Sequence, residues 1–243
     1  MRSTTTNPFE SYSPIAGELH LRSSYPGVIL IGIDEAGRGP LAGPVVASAV
    51  VLHSPSDIEG LNDSKKLSEI KREELFPCIQ ERALCWAIGA ASASEIDAIN
   101  ILQANYLAMR RALSAIGFPG LDVRSPVGES AIQVWSQGQI PLGTTLCVVD
   151  GNQKIRGVPL DGQFTVVKGD AHIASIAAAS ILAKVHRDRV MVALAAEFPE
   201  YNFAKHKGYP SAEHTEAIRV HGLCAIHRKS FRLKALDQPD LFG

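Results

Sequence analysis

Short apolar runs rich in β-branched residues recur along the chain, and Gly, Pro or charged residues bound most of them. Runs of this length and composition are typical of buried β-strands. They predict five strands, over residues 28–34, 45–52, 85–90, 145–149 and 164–167, and they allow one more short strand near residues 132–135. The second run is nearly all apolar, which indicates a central position in the sheet.

Capping residues and apolar spacings of three and four predict helices between these strands. The predicted helices cover residues 69–80, 95–116, 171–198 and 211–221. Ser68 is placed to cap the first helix, and residues 94–97 form a capping-box pattern for the second. The third helix begins with many Ala, Ser and Ile residues. Because small side chains allow close approach, we expect this helix to pack on a face of the sheet.

Three segments lack this periodicity. Residues 1–26 are rich in Ser, Thr and Pro, which predicts a flexible leader. Residues 118–143 carry many Gly, Pro and Ser, and both they and residues 199–210 are predicted to be loops. The expected organisation after the leader is a core over residues 27–198, a helical and loop region over 199–233, and a tail over 234–243.

The composition is that of an ordinary globular protein with a buried core. Of the 243 residues, 46% are hydrophobic and 20% are charged, close to the average for soluble domains. The apolar runs are all shorter than the roughly 20 residues that a transmembrane helix needs. The four cysteines show no C-x-x-C spacing, so we expect free thiols and a cytoplasmic location.

The charge of the chain is small but unevenly distributed. A net charge of −1 argues against binding of nucleic acid by bulk positive charge. Residues 186–234, however, contain nine Lys and Arg, five Asp and Glu, and five of the eight histidines. This segment could form a local basic face, or it could be a solvated surface.

Acidic residues stand where predicted strands end or a helix begins. Asp34 and Glu35 follow the first strand, Asp150 follows the fourth, and Asp170 precedes the third helix. If the first and fourth strands are parallel neighbours, their acids share the crevice at the carboxyl edge of the sheet. Each acid alone has a structural explanation, as an N-cap, a turn residue or an exposed loop residue. Several buried strands that all stop at acids favour a shared site.

We refer to Asp34, Glu35, Asp150 and Asp170 as the four acids. Carboxylates that lie close together raise one another's pKa unless a cation compensates their charge. Divalent cations that prefer oxygen ligands suit such a site, so the sequence predicts Mg²⁺ or Mn²⁺ rather than zinc. Two such ions about 3.5–4 Å apart suit an in-line phosphoryl displacement.

Several stretches of the chain resemble ribonuclease HII, the type 2 ribonuclease H of bacteria. They cover residues 32–44, 61–67, 149–152, 167–170 with 175–184, and 206–210, and the similarity extends from about residue 27 to residue 231. The resemblance implies an α/β fold of the ribonuclease H type. Such a fold has three layers, a central five-stranded mixed sheet with helices on both faces, and a C-terminal helical region that completes the substrate groove.

By this resemblance, the four acids bind the metal ions and are the catalytic residues. Gly37, Arg38 and Gly39 match the turn that senses the ribose 2′-hydroxyl, and Tyr209 matches a tyrosine that packs on the sugar of the following deoxynucleotide. The implied reaction is two-metal-ion hydrolysis of RNA in RNA–DNA hybrids, including single ribonucleotides embedded in duplex DNA. Cleavage on the 5′ side of the ribonucleotide would leave 5′-phosphate and 3′-hydroxyl ends.

The residue types agree with this assignment. Glycines let the backbone approach a sugar closely, and the 2′-hydroxyl is the group that distinguishes RNA from DNA. Arg38 is a candidate for contact with a phosphate. Four lysines are further candidates, because contacts to the nucleic-acid backbone position a duplex without reading its sequence: Lys65, Lys168, Lys184 and Lys207.

The C-terminal tail carries a weaker similarity. It resembles the short peptide by which bacterial replication and repair proteins bind the sliding clamp, through Gln238, Asp240, Leu241 and Phe242. An exposed Leu-Phe pair would serve as a hydrophobic anchor. The alternative is a tail that folds back on its own domain. From the family resemblance we expect a monomer.

Two other functions stay open at this point. Another two-metal nuclease on the same fold, such as a resolvase or integrase-like enzyme, would need the four acids but not residues 37–39 or Tyr209. Cleavage of pure DNA would favour that enzyme. A non-catalytic nucleic-acid-binding or clamp-associated module would bind without cleaving.

Overall fold

The computed structural model describes residues 7–128, 134–159 and 161–231. Within these residues the chain forms a six-stranded sheet with the order β4-β3-β2-β1-β5-β6. The strands are β1 (Ile29–Ala36), β2 (Val45–Leu52), β3 (Ala83–Ala91), β4 (Val134–Gln137), β5 (Thr145–Asp150) and β6 (Gln163–Val166).

The sheet is mixed, as the family resemblance implied. β1 is parallel to β5 and β5 is parallel to β6, whereas the other neighbouring pairs are antiparallel. The parallel pairing of β1 with β5 confirms the arrangement that a shared acid site requires. β2 is buried along its whole length, which confirms its predicted central position.

The predicted count of five strands was one too few. β4 lies at the edge of the sheet beside β3, inside the predicted long loop, and three of its four residues are exposed. It overlaps the additional short strand that the sequence allowed near residues 132–135, but a short and mostly exposed edge strand carries too little apolar periodicity to be predicted with the other five.

Six α-helices lie within the described residues: α1 (Pro14–Ser24), α2 (Glu69–Arg82), α3 (Ala93–Ala115), α4 (Ala174–Glu197), α5 (Phe203–His206) and α6 (Ala212–His221). Side chains of α3 pack on one face of the sheet, and side chains of α2 and α4 pack on the other. Hydrophobic cores on both faces make this a three-layer α/β arrangement. None of the described helices is long and apolar enough to cross a membrane.

The small residues of α4 allow its first turn to rest directly on β1. A Cβ atom built on Gly32 would lie 2.1 Å from the carbonyl carbon of Ser175. Glycine is therefore required at this position of β1 by the close approach of the two backbones. The contact fixes the start of α4, and with it the preceding Asp170, near the carboxyl end of β1.

The capping box of α3 lies two residues earlier than predicted. Ser92 and Glu95 form it, each side chain bonding to the other residue's backbone N–H. Asp97, which belonged to the predicted box, accepts hydrogen bonds from the backbone N–H groups of Lys229 and Ser230 instead. Both serines are adequate caps, so the choice between them depends on the tertiary partner of Asp97.

Two other boundaries differ from the prediction. A 3₁₀ turn over Gly169–Ala171 precedes α4, which begins at Ala174 rather than at residue 171. The predicted loop over 199–210 contains another 3₁₀ turn and the short α5. Single helical turns like these are too short to show periodicity in the sequence.

The prediction of a flexible leader over residues 1–26 was wrong for α1. Ser13 caps this helix by accepting the N–H of Ala16, and Leu21 and the fully buried Glu18 pack into the protein. A helix that buries an acid and a glycine along with its leucine has almost no amphipathic pattern. Its stability comes from the tertiary contacts, which the local sequence does not reveal.

The four cysteines carry free thiols, as predicted. Cys85 and Cys147 are buried in the sheet. Burial raises the pKa of Cys85 to about 11 and the pKa of Cys147 to about 12. These two thiols are therefore protonated at neutral pH and behave as small apolar residues.

Candidate active site

The acids of β1 and β5 meet at the carboxyl edge of the sheet. Asp34 lies near the end of β1, and Asp150 is the last residue of β5. Ile33 pairs with Val149 in the parallel register, so the two acids that follow these residues stand side by side. Asp170, in the turn before α4, is close enough for its charge to affect Asp34.

Consecutive residues of a strand point to opposite faces, and this separates Asp34 from Glu35. The hydroxyl of Ser180, on α4, acts to lower the pKa of the Asp34 carboxyl. Glu35 interacts with Asn105 of α3 and forms an ion pair with Arg38, with 3.2 Å between Oε1 and Nη1. The acids therefore approach the crevice from both faces of the sheet.

Asp150 connects β5 to the turn that carries Asp170. Its Oδ1 atom accepts a hydrogen bond from the backbone N–H of Gly169 at 2.6 Å. The backbone N–H groups of Asp170 and Gly151 also interact with this carboxylate. The chain thus fixes the relative positions of two acids that belong to different elements.

All four acids have pKa values above their ordinary values, and burial is the largest cause in each case. For Asp34, the charges of Asp150 and Glu35 add to the effect of burial and raise the pKa well above its usual range. Burial and the charges of Asp150 and Asp63 raise the pKa of Asp170 to about 7. The negative charge of this site is therefore incompletely compensated by the protein itself.

The donor set fits Mg²⁺ or Mn²⁺ by its chemistry, since it consists of carboxylate oxygens. The raised pKa values show that the site would gain from a cation. Among the described residues, however, no three His, Cys, Asp or Glu side chains lie close enough together to hold one ion. The carboxylates would therefore have to move closer together when an ion binds. Such a movement is expected, because like charges repel one another when no cation lies between them.

Two buried arginines support the turn formed by Gly37, Arg38 and Gly39. Arg228 donates hydrogen bonds to the carbonyl oxygens of Gly37 and Arg38 at 2.6 and 3.0 Å. Gly37 has a φ of +93°, and a Cβ atom there would lie 2.1 Å from Nε of Arg187. Both the backbone conformation and the space therefore require glycine at this position.

Tyr209 faces this turn from the C-terminal region. A Cβ atom built on Gly39 would lie 4.0 Å from Cε1 of Tyr209. The tyrosine is 40% exposed, and the guanidinium of Arg187 and Nζ of Lys184 lie 5.6 and 5.9 Å from the centre of its ring. Two sequence motifs that are far apart in the chain are thus brought to the same edge of the crevice.

Two of the predicted lysines lie beside site residues. Burial would lower the pKa of Lys65, but the charges of Asp170, Asp34 and other nearby acids outweigh it and raise the pKa. Lys184 pairs with Asp188 at 2.7 Å and lies beside the tyrosine ring. The structure therefore brings Lys65 to the four acids and Lys184 to Tyr209.

The other two lysines have left-handed backbone conformations and less direct contacts. Lys168 is exposed and immediately precedes the turn of Asp170. The side chain of Lys207 donates to the carbonyl oxygen of Ala204, and its own carbonyl accepts from Arg187 at 3.0 Å. The structure shows no direct contact between these two ammonium groups and the described acids.

The sequence prediction missed the side chains that support the site: Asp63, Asn105, Ser180, Arg187 and Arg228. Arg187 lies in the charged run over residues 184–189 of α4, and nothing in that run distinguishes this buried arginine from its more exposed neighbour Arg189. Asp63, which raises the pKa of Asp170, lies inside one of the stretches that resemble the family. The predicted clamp-binding residues Gln238, Asp240, Leu241 and Phe242 lie outside the described residues.

Solved structures with the same fold are known. The RNase HII of the PCNA:RNase HII complex from Archaeoglobus fulgidus superposes with a TM-score of 0.60 at 23% identity, covering 85% of this chain and 96% of that one. Bst-RNase HIII in complex with Mn²⁺ superposes with a TM-score of 0.59 at 20% identity, covering 86% of this chain and 67% of that one. At these identities the similarity establishes the fold.

Sequence comparison establishes the family. The model of the Ribonuclease HII family matches residues 31–119 and 148–234. Ribonuclease HII 2 of Methylibium petroleiphilum is 48% identical over 233 residues, which is 95% of this chain and 94% of the relative. Both matches include the stretches that hold the four acids. The chain therefore belongs to the ribonuclease HII family, whose members are hydrolytic endonucleases with ribonuclease H activity on RNA–DNA hybrids.

Proposed function

We propose that this chain hydrolyses RNA in RNA–DNA hybrids and also cuts on the 5′ side of single ribonucleotides embedded in duplex DNA. The products would carry 5′-phosphate and 3′-hydroxyl ends. One observation carries the proposal: the crevice of buried and half-buried acids adjoins a glycine turn that faces an exposed tyrosine. Acids suit phosphoryl transfer, and the turn and tyrosine suit recognition of a sugar, so their combination fits a nuclease that selects a ribose.

In this proposal the four acids hold two divalent ions, Mg²⁺ or Mn²⁺. When bound, the ions supply an activated nucleophile at neutral pH and stabilise the leaving 3′ oxygen. Because the pKa values of the acids are raised, an ion must displace protons from them, and its affinity should increase with pH. The Mn²⁺ bound to Bst-RNase HIII supports this choice of ions.

Gly37, Arg38 and Gly39 would recognise the ribose 2′-hydroxyl through their backbone groups, where side chains would prevent close approach. The hydrogen bonds from Arg228 keep the turn in one conformation, so it would be ready to bind without rearrangement. Tyr209 would pack on the sugar of the following deoxynucleotide. Selection of the substrate would then depend on the sugar rather than on the base.

The positive side chains around the crevice would bind the phosphates of the duplex. Lys65 and Arg38 lie next to the acids, and Lys184 lies next to the tyrosine. Lys168 and Lys207 would extend these contacts along the groove that the C-terminal region completes. Such contacts position a duplex without reading its sequence.

The first test uses a labelled DNA duplex with one ribonucleotide, an all-DNA duplex as the control substrate, and either Mg²⁺ or Mn²⁺. We expect metal-dependent cleavage 5′ to the ribonucleotide and none of the control duplex. Asp34→Asn should abolish cleavage, whereas Asp122→Asn, at an exposed carboxylate away from the site, should not. Equal cutting of the all-DNA duplex would favour another two-metal nuclease, and binding without cutting would favour a non-catalytic module.

A second test addresses the sugar sensor. Gly39→Ala adds a methyl group where the nearest atom, Cε1 of Tyr209, lies 4.0 Å away, so the variant should fold normally. The methyl group would occupy the space proposed for the ribose, and a displacement of about 1 Å can reduce kcat/KM by about 100-fold. Gly162→Ala, at another glycine with room for a methyl group, is the matched control. Full activity of Gly39→Ala would contradict the proposed sensor.

We also propose that the tail binds the bacterial sliding clamp through Gln238, Asp240, Leu241 and Phe242. The complex of the Archaeoglobus fulgidus protein with PCNA supports a clamp as a partner. Deletion of residues 238–243 should abolish clamp pull-down and leave cleavage intact, and unchanged pull-down would end this proposal. The four free thiols support a location in the cytoplasm. The family resemblance supports a monomeric enzyme.

A further inference from the structure

The segment before the first strand contacts the part of the chain that carries Asp170. We call residues 7–24 the N-terminal brace and residues 167–175 the Asp170 segment. The match to the ribonuclease HII family model begins at residue 31, so the brace lies before the part of the chain that the model covers. The contacts of the brace are therefore a structural feature of this chain that the match to the family model does not describe.

The brace makes hydrogen bonds to both ends of the turn that holds Asp170. The side-chain amide of Asn7 donates to the carbonyl oxygen of Val167 at 2.7 Å. On the other side of the turn, Nδ1 of His172 lies 2.9 Å from the carbonyl oxygen of Tyr12. A carbonyl accepts hydrogen bonds, so this ring nitrogen carries the proton. Asp170 lies between these two attachment points.

A carboxylate of the brace also caps α4. Ile173, the N-cap residue of α4, has no polar side-chain atom that could bond to the first N–H groups of the helix. The fully buried Glu18 takes this role, because its Oε2 atom accepts the N–H of Ser175 at 2.5 Å. Its Oε1 atom pairs with Nη2 of Arg22 at 2.8 Å. A negative charge near the first turn also interacts favourably with the helix dipole.

The two backbones touch directly at Gly17. A Cβ atom built on Gly17 would lie 2.0 Å from the carbonyl oxygen of His172. Phe9 and Leu21 belong to the same apolar cluster as Val166, the residue just before the Asp170 segment, and Ile173 within it. The brace therefore covers the Asp170 segment with hydrogen bonds, an ionic cap and close packing.

We propose that the N-terminal brace positions Asp170 by fixing the Asp170 segment between β6 and α4, and that Glu18 and Gly17 are positioning residues of the active site. The inference rests on the proposed role of Asp170 as one of the four acids. The turn of Asp170 also bonds to Asp150, so a displaced segment would disturb two acids together. Ion binding and the chemical step should suffer, whereas binding of the duplex should change little.

The test compares three consecutive positions of α1 in the full-length chain. Gly17→Ala inserts a methyl group against His172, and Glu18→Ala removes the cap of α4. Leu19→Ala is the matched control, because Leu19 is 51% exposed. Three experiments are carried out below the unfolding midpoint of every variant. They are Mn²⁺ binding by calorimetry, steady-state kinetics (kcat and KM) on the duplex with one ribonucleotide, and hydrogen exchange of the amides of residues 169–175.

We expect Gly17→Ala and Glu18→Ala to weaken Mn²⁺ binding and to lower kcat by about tenfold each, the lower end of the range for residues that support metal ligands. KM for the duplex should change less than about twofold, and amide exchange in the Asp170 segment should become faster. Leu19→Ala should resemble the wild type. If Glu18→Ala does not fold, Glu18→Gln, which keeps an acceptor for Ser175 but loses the charge, takes its place and should show a smaller effect of the same sign.

Wild-type Mn²⁺ binding, kcat and amide exchange in both variants would overturn the proposal. A loss that also appears in Leu19→Ala, or that only follows the folded fraction, would overturn it as well. Failure of the wild-type protein itself to bind Mn²⁺ or to cut would count against the proposed function instead. The exchange measurement would then still decide whether the brace fixes the Asp170 segment.

Discussion

Two parts of this molecule bury carboxylates, and they treat the charge in opposite ways. Glu95, in the first turn of α3, and Arg111, near the end of the same helix, are 2% and 3% exposed, and Nη2 of Arg111 lies 2.7 Å from Oε1 of Glu95. Arg111 also donates to the carbonyl oxygens of Ala90 and Val123. Burial acts to raise the pKa of Glu95, but hydrogen bonds from Arg111 and from the backbone of Ser92 outweigh it and hold the pKa below its ordinary value.

At the acid site the balance has the opposite sign. The positive neighbours of the four acids within the described residues include Arg38, whose side chain is 53% exposed, and the exposed Lys65. They compensate too little of the charge, and the pKa values of all four acids stay raised. This difference separates acids that stabilise the fold from acids that have a function. A buried acid whose charge is paired within the chain stabilises the fold, whereas acids whose negative charge is not compensated by the chain suit an external cation.

The presence of a cavity does not make this distinction. A cavity of about 250 Å³ is lined in part by Glu95 and Arg111, and a smaller, more polar one of about 130 Å³ is lined in part by Glu35, Asn105 and Asp150. Size does not identify the site either, because larger cavities of about 440, 570 and 350 Å³ are lined by none of these acids. What identifies the site is whether the acids beside a cavity are compensated by a positive side chain. Glu95 is compensated by Arg111, whereas the pKa values of Glu35 and Asp150 stay raised.

Asp150→Asn should give the largest effect and should separate activity from stability. The amide keeps an oxygen that can accept the N–H of Gly169, but it no longer binds a cation strongly. We expect kcat/KM to fall by about 10⁴-fold, or ~5.5 kcal/mol, as for residues that act as one catalytic unit. In chelator, urea unfolding should show equal or greater stability, because one repelling charge is removed. Parallel losses of activity and stability would contradict the comparison.

The acid site could be predicted from sequence because its members sit at local features. Asp34 and Asp150 end strands whose apolar runs are visible in the sequence, and the register of β1 and β5 then brings them together. The motifs that resemble the family pointed to the same residues. Their individual catalytic roles stay predictions that the variants above test.

Features that depend on partners distant in the chain could not be predicted in this way. The Glu95–Arg111 pair joins residues 16 positions apart, and nothing in the local pattern distinguishes it from an exposed pair. Arg228 donates a hydrogen bond to the carbonyl oxygen of Gly37, a residue 191 positions earlier in the sequence. α1 lacks an amphipathic stripe because the residue that it buries most completely is an acid. In each case the tertiary partner, and not the local pattern, determines the structure.

Arg111→Met tests the other side of the comparison and should give the second-largest effect. It leaves Glu95 buried without its cation, and removal of one partner of a buried pair costs about 3–5 kcal/mol of unfolding free energy. The matched control is Arg124→Met, since the pair of Arg124 with Asp122 is largely exposed and exposed pairs contribute little to stability. Urea unfolding measures both. The kcat of folded Arg111→Met at low temperature should match the wild type, and a selective loss of kcat would show that this pair serves catalysis.

The smallest effect is a pH dependence with opposite signs at the two places. Burial and neighbouring acids raise the pKa of Asp170 from its ordinary 3.8 to about 7. Between these values the folded protein holds a proton that the unfolded chain has released, so in chelator this group contributes stability that is lost as pH rises from about 4 to about 7. Glu95, whose pKa is lowered, contributes stability that is present above its ordinary pKa of 4.5 and lost at lower pH.

The half-buried His186 and the buried His227 have pKa values that desolvation lowers to about 4. They add a slope of the opposite sign to that of Asp170 between pH 4 and 6.5. The measurement is therefore the difference in unfolding free energy between the wild type and Asp170→Asn at pH 5, 6, 7 and 8. In chelator the wild type should lose stability relative to the variant as pH rises, and the loss should level off above about pH 7. Saturating Mn²⁺ should reverse this trend, because bound metal keeps the carboxylate ionised and binds more tightly as protons become scarce. A difference that is independent of pH in chelator would mean that Asp170 is compensated within the chain as Glu95 is, and the contrast between the two places would then fail at this residue.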